Sequence, residues 1–401
     1  MKKLKFYILI LLLSVAFNAC KDYVTNVDPL IDQIDDKNLN TPAQLPFLIK
    51  GVQNQFANAT SVLNVLADGL SDQFKFDQNV PNATFPTFKD IDNGTITFDN
   101  NSVRGVYTAL GRYRFLADDL VRRTNSMTVS DATLKNQALF TGEFYGGYAR
   151  YQYATYIGLN PTQGGSPVDG GPFIPSAQLY AQAIAKFKTA LTLTTDAKMI
   201  RIINSIIARA YIYNGDYANA ATYAKLGMQS GDAPFTALHN VQQSNYYWQQ
   251  AGVGRTQYVV TDRIYNYTLS DPNEKNRIPL DSLIGTDKKT KYYRQNKYPS
   301  DASSDIIITW QENNLMLAEL ALRGQATGVP LTLVNQVRAS HGIAPLVTVT
   351  LDDIYVERDK ELFVTGNRLP DERRFGKWHL PAGTWQYLPI TDDERNSNKN
   401  L

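Results

Sequence analysis

Apolar residues recur at helical spacing along most of the chain. On one face of a predicted helix they fall three or four positions apart: Val103, Val106, Tyr107, Leu110, Tyr113, Ala117, Leu120 and Val121. Similar patterns predict five more helices, over residues 43–70, 131–157, 306–323, 331–341 and 352–365. The chain is therefore predicted to be mainly α.

Part of this helical pattern repeats. Six positions recur with an offset of 37 residues: Tyr180, Ala183, Ile184, Lys188, Ala190 and Leu191 correspond to Tyr217, Ala220, Ala221, Lys225, Gly227 and Met228. A helix over 203–211 lies between the two copies, and Asn214-Gly215-Asp216 joins it to the second copy. The arrangement resembles a tetratricopeptide repeat. An ordinary antiparallel helical hairpin is the alternative.

Three stretches depart from the helical pattern. Residues 71–101 carry strand and turn signals around Asn93-Gly94, which predict a small β-hairpin rather than a calcium loop. Residues 158–176 are rich in glycine and proline and are predicted to be loop. Residues 230–300 mix aromatic with polar residues and predict an irregular, loop-rich excursion out of the helical body.

The N-terminus has the pattern of an export signal. Basic residues precede an apolar run that is too short to cross a bilayer, and residues 1–19 are predicted to be a signal peptide. Cys20, the only cysteine in the chain, follows directly and resembles the acylated residue of bacterial lipoproteins. Residues 20–45 would then form a lipidated tether. An ordinary signal peptide with an incidental cysteine is the alternative.

The amino-acid composition limits the ligands and cofactors that can be expected for this chain. Cleavage before Cys20 removes three lysines and no acids, which moves the formal net charge from +2 to −1. Neither value suggests a nucleic-acid partner. The histidines, His239, His341 and His379, lie far apart in sequence and do not have metal-ligand spacing. No metal and no cofactor are predicted.

Charged residues are densest near the C-terminus, where residues 357–378 hold five acids and six bases. Glu357 and Glu361 lie one helical turn apart on a helix expected to end at Gly366, and Pro370 is expected to prevent it from resuming. Three later residues are predicted to fold back and pair with these glutamates in a structural clasp: Arg368, Asp371 and Arg374. Glu312 and Glu319 share a helix face and are likewise expected to meet arginines.

Three sequence features together resemble the SusD/RagB family of outer-membrane lipoproteins. They are the lipoprotein-like start, the segment Trp310–Glu319 with Leu333–Arg338, and a C-terminal signature. That signature comprises Glu357, Arg358, Glu361, Leu362, Gly366, Arg368, Asp371, Arg374, Leu388, Pro389, Ile390, Glu394 and Asn398. One departure is Thr365, where the family usually has an acid.

The resemblance implies a lipid-anchored binding protein of the outer membrane, facing the cell surface, and not an enzyme. Residues 46–401 would form a single SusD-like helical domain. Such a protein binds a nutrient, most often an oligosaccharide and in some members a peptide. It delivers the nutrient to a partner SusC-like TonB-dependent transporter, while the lipid alone attaches it to the membrane.

Ligand contacts are predicted within the aromatic excursion and after the first helix. Flat rings can stack on sugar faces, and Tyr246, Tyr247 and Trp248 bring three rings together. Asp72 and Gln73 are predicted to add polar contacts.

Two other functions fit the same helical pattern. A tetratricopeptide-type scaffold lipoprotein would bind only a protein partner. An α/α-toroid glycoside hydrolase would need two carboxylates facing each other across a cleft, and no spacing in the sequence singles out such a pair.

Overall fold

The computed structural model describes residues 36–401, so the predicted signal peptide, Cys20 and most of the predicted tether lie outside it. Within that range the chain forms fourteen α-helices and ten short strands. The helices are α1 (Leu45–Leu70), α2 (Pro86–Asp92), α3 (Asn101–Ser126), α4 (Ala132–Tyr156), α5 (Ser176–Thr192), α6 (Ala197–Tyr213), α7 (Tyr217–Ala224), α8 (Tyr246–Ala251), α9 (Asp262–Ser270), α10 (Trp310–Leu322), α11 (Pro330–Ser340), α12 (Leu351–Glu361), α13 (Arg368–Arg374) and α14 (Asp392–Ser397).

The strands form small sheets at the edges of this helical body. They are β1 (Phe74–Lys75), β2 (Ile157–Asn160), β3 (Gln163–Ser166), β4 (Ile174–Pro175), β5 (Phe235–Ala237), β6 (Val259–Val260), β7 (Leu280–Ile284), β8 (Lys291–Gln295), β9 (Asp305–Ile308) and β10 (Leu388–Pro389). The sheet orders are β1-β6, β10-β2-β3-β4, β5-β9 and β7-β8. The mainly α prediction is confirmed.

One hydrophobic core connects most of these elements, from Leu45 to Ile390. Helix α1 packs against α3 and α4, and α4 packs against α5. Every residue from Leu63 to Leu70 is buried, so the second half of α1 is enclosed on all sides. No helix in residues 36–401 is both long and apolar enough to cross a membrane.

The predicted repeat forms successive helical hairpins. Helices α5, α6 and α7 pack in sequence, and small buried side chains such as Ala183 and Ala220 allow the close approach. Gly215 turns the chain with a φ of +78°, and the Asp216 side chain accepts a hydrogen bond from the Asn219 amide. A helical-repeat body is therefore confirmed.

The predicted hairpin around Asn93-Gly94 is wrong, because this pair ends helix α2. Pro86 occupies the first turn, where its missing N–H is not needed, and Phe88 and Ile91 are buried three positions apart. Gly94 follows the helix with a φ of +64°. Asn-Gly is suited to a helix C-terminus as well as to a hairpin turn. The hairpin of this fold is instead β7-β8, inside the excursion.

The loop predicted for residues 158–176 is also corrected, since it contains β2, β3 and β4. Gly158 and Gly164 lie against Tyr387, and a Cβ on Gly164 would come within 2.5 Å of that ring. Here the glycines permit close packing within a sheet rather than an open loop.

Two helix boundaries in the C-terminal half differ from the prediction. Residues 305–308 pair as strand β9, so α10 begins only at Trp310, with Thr309 as its N-cap. Helix α12 is capped by Thr350 rather than Asp352 and ends at Glu361. It ends early because side chains of α1 and the following turn, Asp68 and Gln73, accept hydrogen bonds from the amides of Gly366 and Val364.

Pro370 does not prevent a new helix, because α13 (Arg368–Arg374) contains it. The proline lies in the first helical turn, where an amide has no partner inside the helix, so the missing N–H costs nothing. Gly366 does turn the chain, with a φ of +75°.

Candidate functional site

Two tyrosines of the excursion stack on each other at the protein surface. The rings of Tyr265 and Tyr293 are parallel to within 15°, and their centroids lie 3.7 Å apart. Both side chains are half-buried, so part of each ring faces solvent. We call this pair the tyrosine stack.

Local secondary structure places both rings. On α9, Ile264 and Thr268 are buried one helical turn apart, which leaves Tyr265 on the outer side of the helix with the exposed Leu269. On β8, Tyr292 packs into a small cluster with Val80. Since consecutive strand residues point to opposite faces, Tyr293 turns outwards towards α9.

The tyrosine stack lies between two surface concavities that share both rings and Lys291. One is about 440 Å³ and is also lined by Thr268, Lys275, Pro279, Leu280, Asp281 and Ser282. The other is about 460 Å³ and is also lined by Lys75, Asp77, Val260, Asp262, Thr290 and Tyr292. Flat rings flanked by hydroxyl, carboxylate and ammonium groups can both stack on a sugar and hydrogen-bond its hydroxyls.

Two ion pairs lie along this surface. Asp281 is held by Arg294 of the paired strand, with Nη2 2.6 Å from the carboxylate, and Lys75 binds Asp262 at 2.9 Å. Contact with the Tyr293 phenol, together with partial burial, raises the pKa of Tyr265 above its ordinary value. The Tyr265 ring is therefore neutral over the physiological pH range.

The three ring residues predicted for the ligand lie elsewhere in the excursion and differ in exposure. Tyr247 is fully buried, and its hydroxyl donates to Asp68 at 2.5 Å, so it presents nothing to a ligand. Tyr246 and Trp248 are half-buried. The aromatic run is helix α8, and its period turns Tyr247 inwards while its neighbours reach the surface.

Asp72 and Gln73 are occupied by the protein itself. Gln73 is buried; its amide donates to Asp359, and its carbonyl accepts from the Val364 amide at 3.0 Å. The Asp72 carboxylate binds the Arg368 guanidinium through two hydrogen bonds of 2.7 and 3.0 Å and also accepts from Arg263. Both residues therefore join α1 to the C-terminal segment, and their role as ligand contacts stays a prediction.

The predicted clasp is buried, but its pairing is wrong. Arg368 does not reach Glu357 or Glu361, because it binds Asp72 and lies 3.2 Å from Glu372. Asp371 and Arg374 do bind each other at 2.6 Å. Arg368 reaches the turn after α1 and Arg374 reaches Glu319 of α10, while Asp371 accepts from Arg358 of α12 rather than meeting the two glutamates.

The two α12 glutamates instead hold the excursion against the helical body. Glu357 accepts from Arg277 at 2.9 Å and from Arg338 at 2.5 Å. Glu361 accepts from His341 at 2.9 Å. Burial opposes ionisation of Glu361, but the His341 hydrogen bond and nearby cations hold its pKa below its ordinary value.

The expected pairing of Glu312 and Glu319 with arginines is confirmed by the contacts. Glu312 binds Arg209 of α6, and both side chains are buried. Glu319 accepts two hydrogen bonds from Arg374, at 2.5 and 2.8 Å. Burial opposes ionisation of Glu319, yet Arg374 and Arg358 hold its pKa below its ordinary value. Both carboxylates are therefore neutralised by arginines inside the protein.

Sequence reasoning grouped Tyr265 and Tyr293 with the other aromatics of the excursion but did not select them. They lie 28 positions apart, and only the β7-β8 hairpin brings them together. The available signal was the alternation on β8, where Lys291 and Tyr293 flank an inward tyrosine. Among residues 36–401, no group of three or more His, Cys, Asp or Glu side chains is placed to hold a metal ion.

Several solved structures share this fold. A SusD superfamily protein from Bacteroides thetaiotaomicron superposes with a TM-score of 0.74 at 16% identity, covering 90% of this chain and 98% of its own. A SusD superfamily protein from Bacteroides vulgatus gives 0.72 at 13% identity, covering 89% and 97%. Surface glycan-binding protein A from Bacteroides thetaiotaomicron, in complex with laminarihexaose, gives 0.69 at 14% identity, covering 89% and 98%.

No family model matches the chain, and no curated protein matches it. The near-complete coverage in both directions nevertheless shows that the chain has the SusD-like fold.

Proposed function

We propose that this protein is a surface lipoprotein of the outer membrane that binds an oligosaccharide on its tyrosine stack and passes it to a SusC-like transporter. The observation that carries the proposal is the stacked Tyr265–Tyr293 pair between two concavities of about 440 and 460 Å³. Each concavity is large enough for a sugar residue, and the ring pair links them.

The chemistry of the surrounding side chains supports a neutral or mixed-charge glycan. Both concavities contain carboxylates and lysines together, so neither presents a single sign of charge. Aromatic rings bury the C–H face of a sugar, while short polar side chains such as Ser282 and Thr290 can reach its hydroxyls. The fold also supports a glycan ligand, because the similar surface glycan-binding protein was solved in complex with laminarihexaose.

Isothermal titration of the full chain against a panel of oligosaccharides, laminarihexaose included, tests this proposal. Tyr265→Ala and Tyr293→Ala should each weaken the best ligand about tenfold or more, because a stacking surface is lost. Tyr223→Ala is the matched control, since Tyr223 stacks on Tyr211 of the repeat body with a lysine 5.4 Å from its ring. Equal losses in all three variants would refute a specific role for the tyrosine stack.

Anchoring at Cys20 is part of the proposal. Mass spectrometry of the mature protein should find a diacylglycerol-modified N-terminal cysteine, and an unmodified N-terminus would contradict it. Delivery to a transporter predicts that a gentle detergent extract, from cells that also express a SusC-like partner, yields both proteins together. Recovery of the lipoprotein alone would count against that partner.

We infer binding rather than catalysis. Glu312 and Glu319, which share a face of α10, are each occupied by an arginine and are not free to act as a glycosidase pair. The similar solved structures are named as SusD superfamily or glycan-binding proteins. Release of new reducing ends from the bound glycan by the purified chain would overturn this inference.

A further inference from the structure

A second pocket, away from the tyrosine stack, separates the excursion from the helical body. It is about 200 Å³. Arg277 and Lys297 reach it from the excursion, while His341 and Glu361 reach it from α11 and α12. Its other walls include apolar side chains: Pro234, Ile306, Ile307 and Leu362. We call it the basic pocket.

A buried arginine of this pocket has an unused donor. The Arg277 side chain is only 1% exposed; its Nε and Nη2 atoms donate to Glu274, and Nη2 also donates to Glu357. Its Nη1 atom is buried, makes no hydrogen bond and lies 3.7 Å from the carboxylate of Glu361, which also lines the pocket. A buried charged N–H group without a hydrogen-bond partner destabilises the folded protein. Binding of a ligand with a hydrogen-bond acceptor would remove that cost.

Lys297 adds a second donor to the same space. Its ammonium group donates to the Phe363 carbonyl at 3.0 Å and has capacity for further acceptors. Burial lowers its pKa to about 8, and the charges of Glu361 and Asp68 oppose that decrease. Lys297 is therefore still mostly protonated at pH 7.

A network of four cations and three carboxylates adjoins the pocket. Arg277, Lys297, Arg338 and Lys360 surround three acids: Glu274, Glu357 and Glu361. Glu312 also lines the pocket, but its charge is neutralised by a buried ion pair with Arg209. Asp68 acts on Lys297 from α1, and burial raises its pKa to about 7, so much of its charge is absent at neutral pH.

We propose that the basic pocket binds one carboxylate group, held by Arg277 Nη1 and Lys297 Nζ, with its apolar body against Ile306, Ile307 and Leu362. A guanidinium and an ammonium converging on one small space match a carboxylate. The volume admits either a small free carboxylic acid or a single uronic acid unit. The site does not depend on the tyrosine stack, since the two share no lining residue.

Isothermal titration of the full chain at pH 6.5 and constant ionic strength tests this site with two probes, propionate and glucuronate. We expect saturable one-to-one binding of at least one probe. Stronger binding of propionate would indicate a small free carboxylic acid as the ligand, and stronger binding of glucuronate would indicate a uronic acid unit. Absence of saturable binding of both probes up to about 10 mM would overturn the proposal.

Two variants locate the binding. Lys297→Met should lower the affinity for the probe about tenfold or more, because one charge-assisted hydrogen bond is lost. Gln311→Glu places an extra carboxylate on the pocket wall, in the first turn of α10, where a negative charge is favourable for the helix. Gln311→Glu should lower the affinity for the probe by a similar factor, and it tests the site even if Lys297→Met fails to fold.

The control is Lys225→Met, the same substitution at an exposed lysine of the repeat body. It should bind the probe as the unmodified chain does. Probe affinity unchanged by Gln311→Glu, or reduced equally by Lys225→Met, would contradict the proposed site. Tyr265→Ala should leave probe binding unchanged, so failure of this proposal can be told apart from failure of the glycan proposal.

Discussion

The C-terminal segment and the excursion use their polar residues in opposite ways. The C-terminal segment is dense in charge, yet its charged side chains are mostly buried and paired: Glu357, Arg358, Asp359, Glu361, Arg368, Asp371 and Glu372. The tyrosine stack has neutral rings at its centre and remains partly open to solvent. The difference indicates that charge density marks where this fold is held together, whereas the half-buried rings beside open concavities mark the surface that we propose binds the glycan.

The first and largest effect is expected from removing a buried ion-pair partner. Arg368→Ala leaves Asp72, Asp359 and Glu372 without their shared guanidinium, and should lower the free energy of unfolding by about 3–5 kcal/mol. Urea denaturation measures this. A variant that kept its stability but lost glycan binding would contradict the structural role of the C-terminal charges. Arg112→Ala, an exposed arginine of α3, is the control and should change stability little.

Asp68 should make stability depend on pH. It is fully buried, and burial raises its pKa to about 7 from an ordinary value of 3.8. The folded state therefore holds a proton that the unfolded chain has already released, and stability falls as pH rises from about 4 to 7. Between pH 5 and 8 this loss should be about 2–3 kcal/mol.

Asp68→Asn should remove that loss, because the amide does not titrate. Denaturation of both proteins at pH 5 and pH 8 measures the difference. Glu372, whose pKa burial raises to about 7, still titrates in both proteins and so cancels from the comparison. Parallel stability changes in the two proteins would contradict an elevated pKa for Asp68.

Tyr247→Phe should have a smaller effect. It removes only the hydroxyl that donates to Asp68 at 2.5 Å, while the ring continues to pack against Phe74 and Tyr298. Loss of a buried hydrogen bond to a carboxyl group should cost about 1–3 kcal/mol. Thermal and urea unfolding check this value, and glycan affinity should not change. A loss of affinity without loss of stability would return Tyr247 to the ligand site.

Trp248→Ala gives the smallest expected change in stability. The side chain is half-buried at the edge of α8, so its loss should leave the melting temperature close to that of the unmodified chain. If Trp248 is a ligand contact, as the sequence predicted, glycan affinity should fall in the same titration. Unchanged affinity would exclude Trp248 from the ligand site, and a large loss of stability would make Trp248 a core residue.

The helical body was predictable from the sequence because burial and helical period coincide there. Val103, Leu110 and Ala117 are all buried along one face of α3, as their spacing required. Turn glycines were less informative: Gly94 ends a helix and Gly164 packs inside a sheet, although both stand in turn-like sequences. The conformation at such positions depends on neighbours that are distant in sequence.

The ion pairs and the candidate site depend on those distant neighbours even more. Arg368 meets Asp72 across 296 positions, and Glu312 meets Arg209 across 103. The sequence predicted that these charges would be structural, but it could not predict which residues pair. The tyrosine stack was not predicted for the same reason, since Tyr265 and Tyr293 meet only after β7-β8 has folded against α9.

The most direct test of the central claim compares glycan affinity and unfolding free energy in the same two proteins, Tyr265→Ala/Tyr293→Ala and Arg368→Ala. The double tyrosine variant should lose glycan binding and keep most of its stability. Arg368→Ala should lose stability and, under conditions where it is folded, bind the glycan as the unmodified chain does. The opposite assignment, with binding lost only in the folded Arg368→Ala protein, would contradict the account.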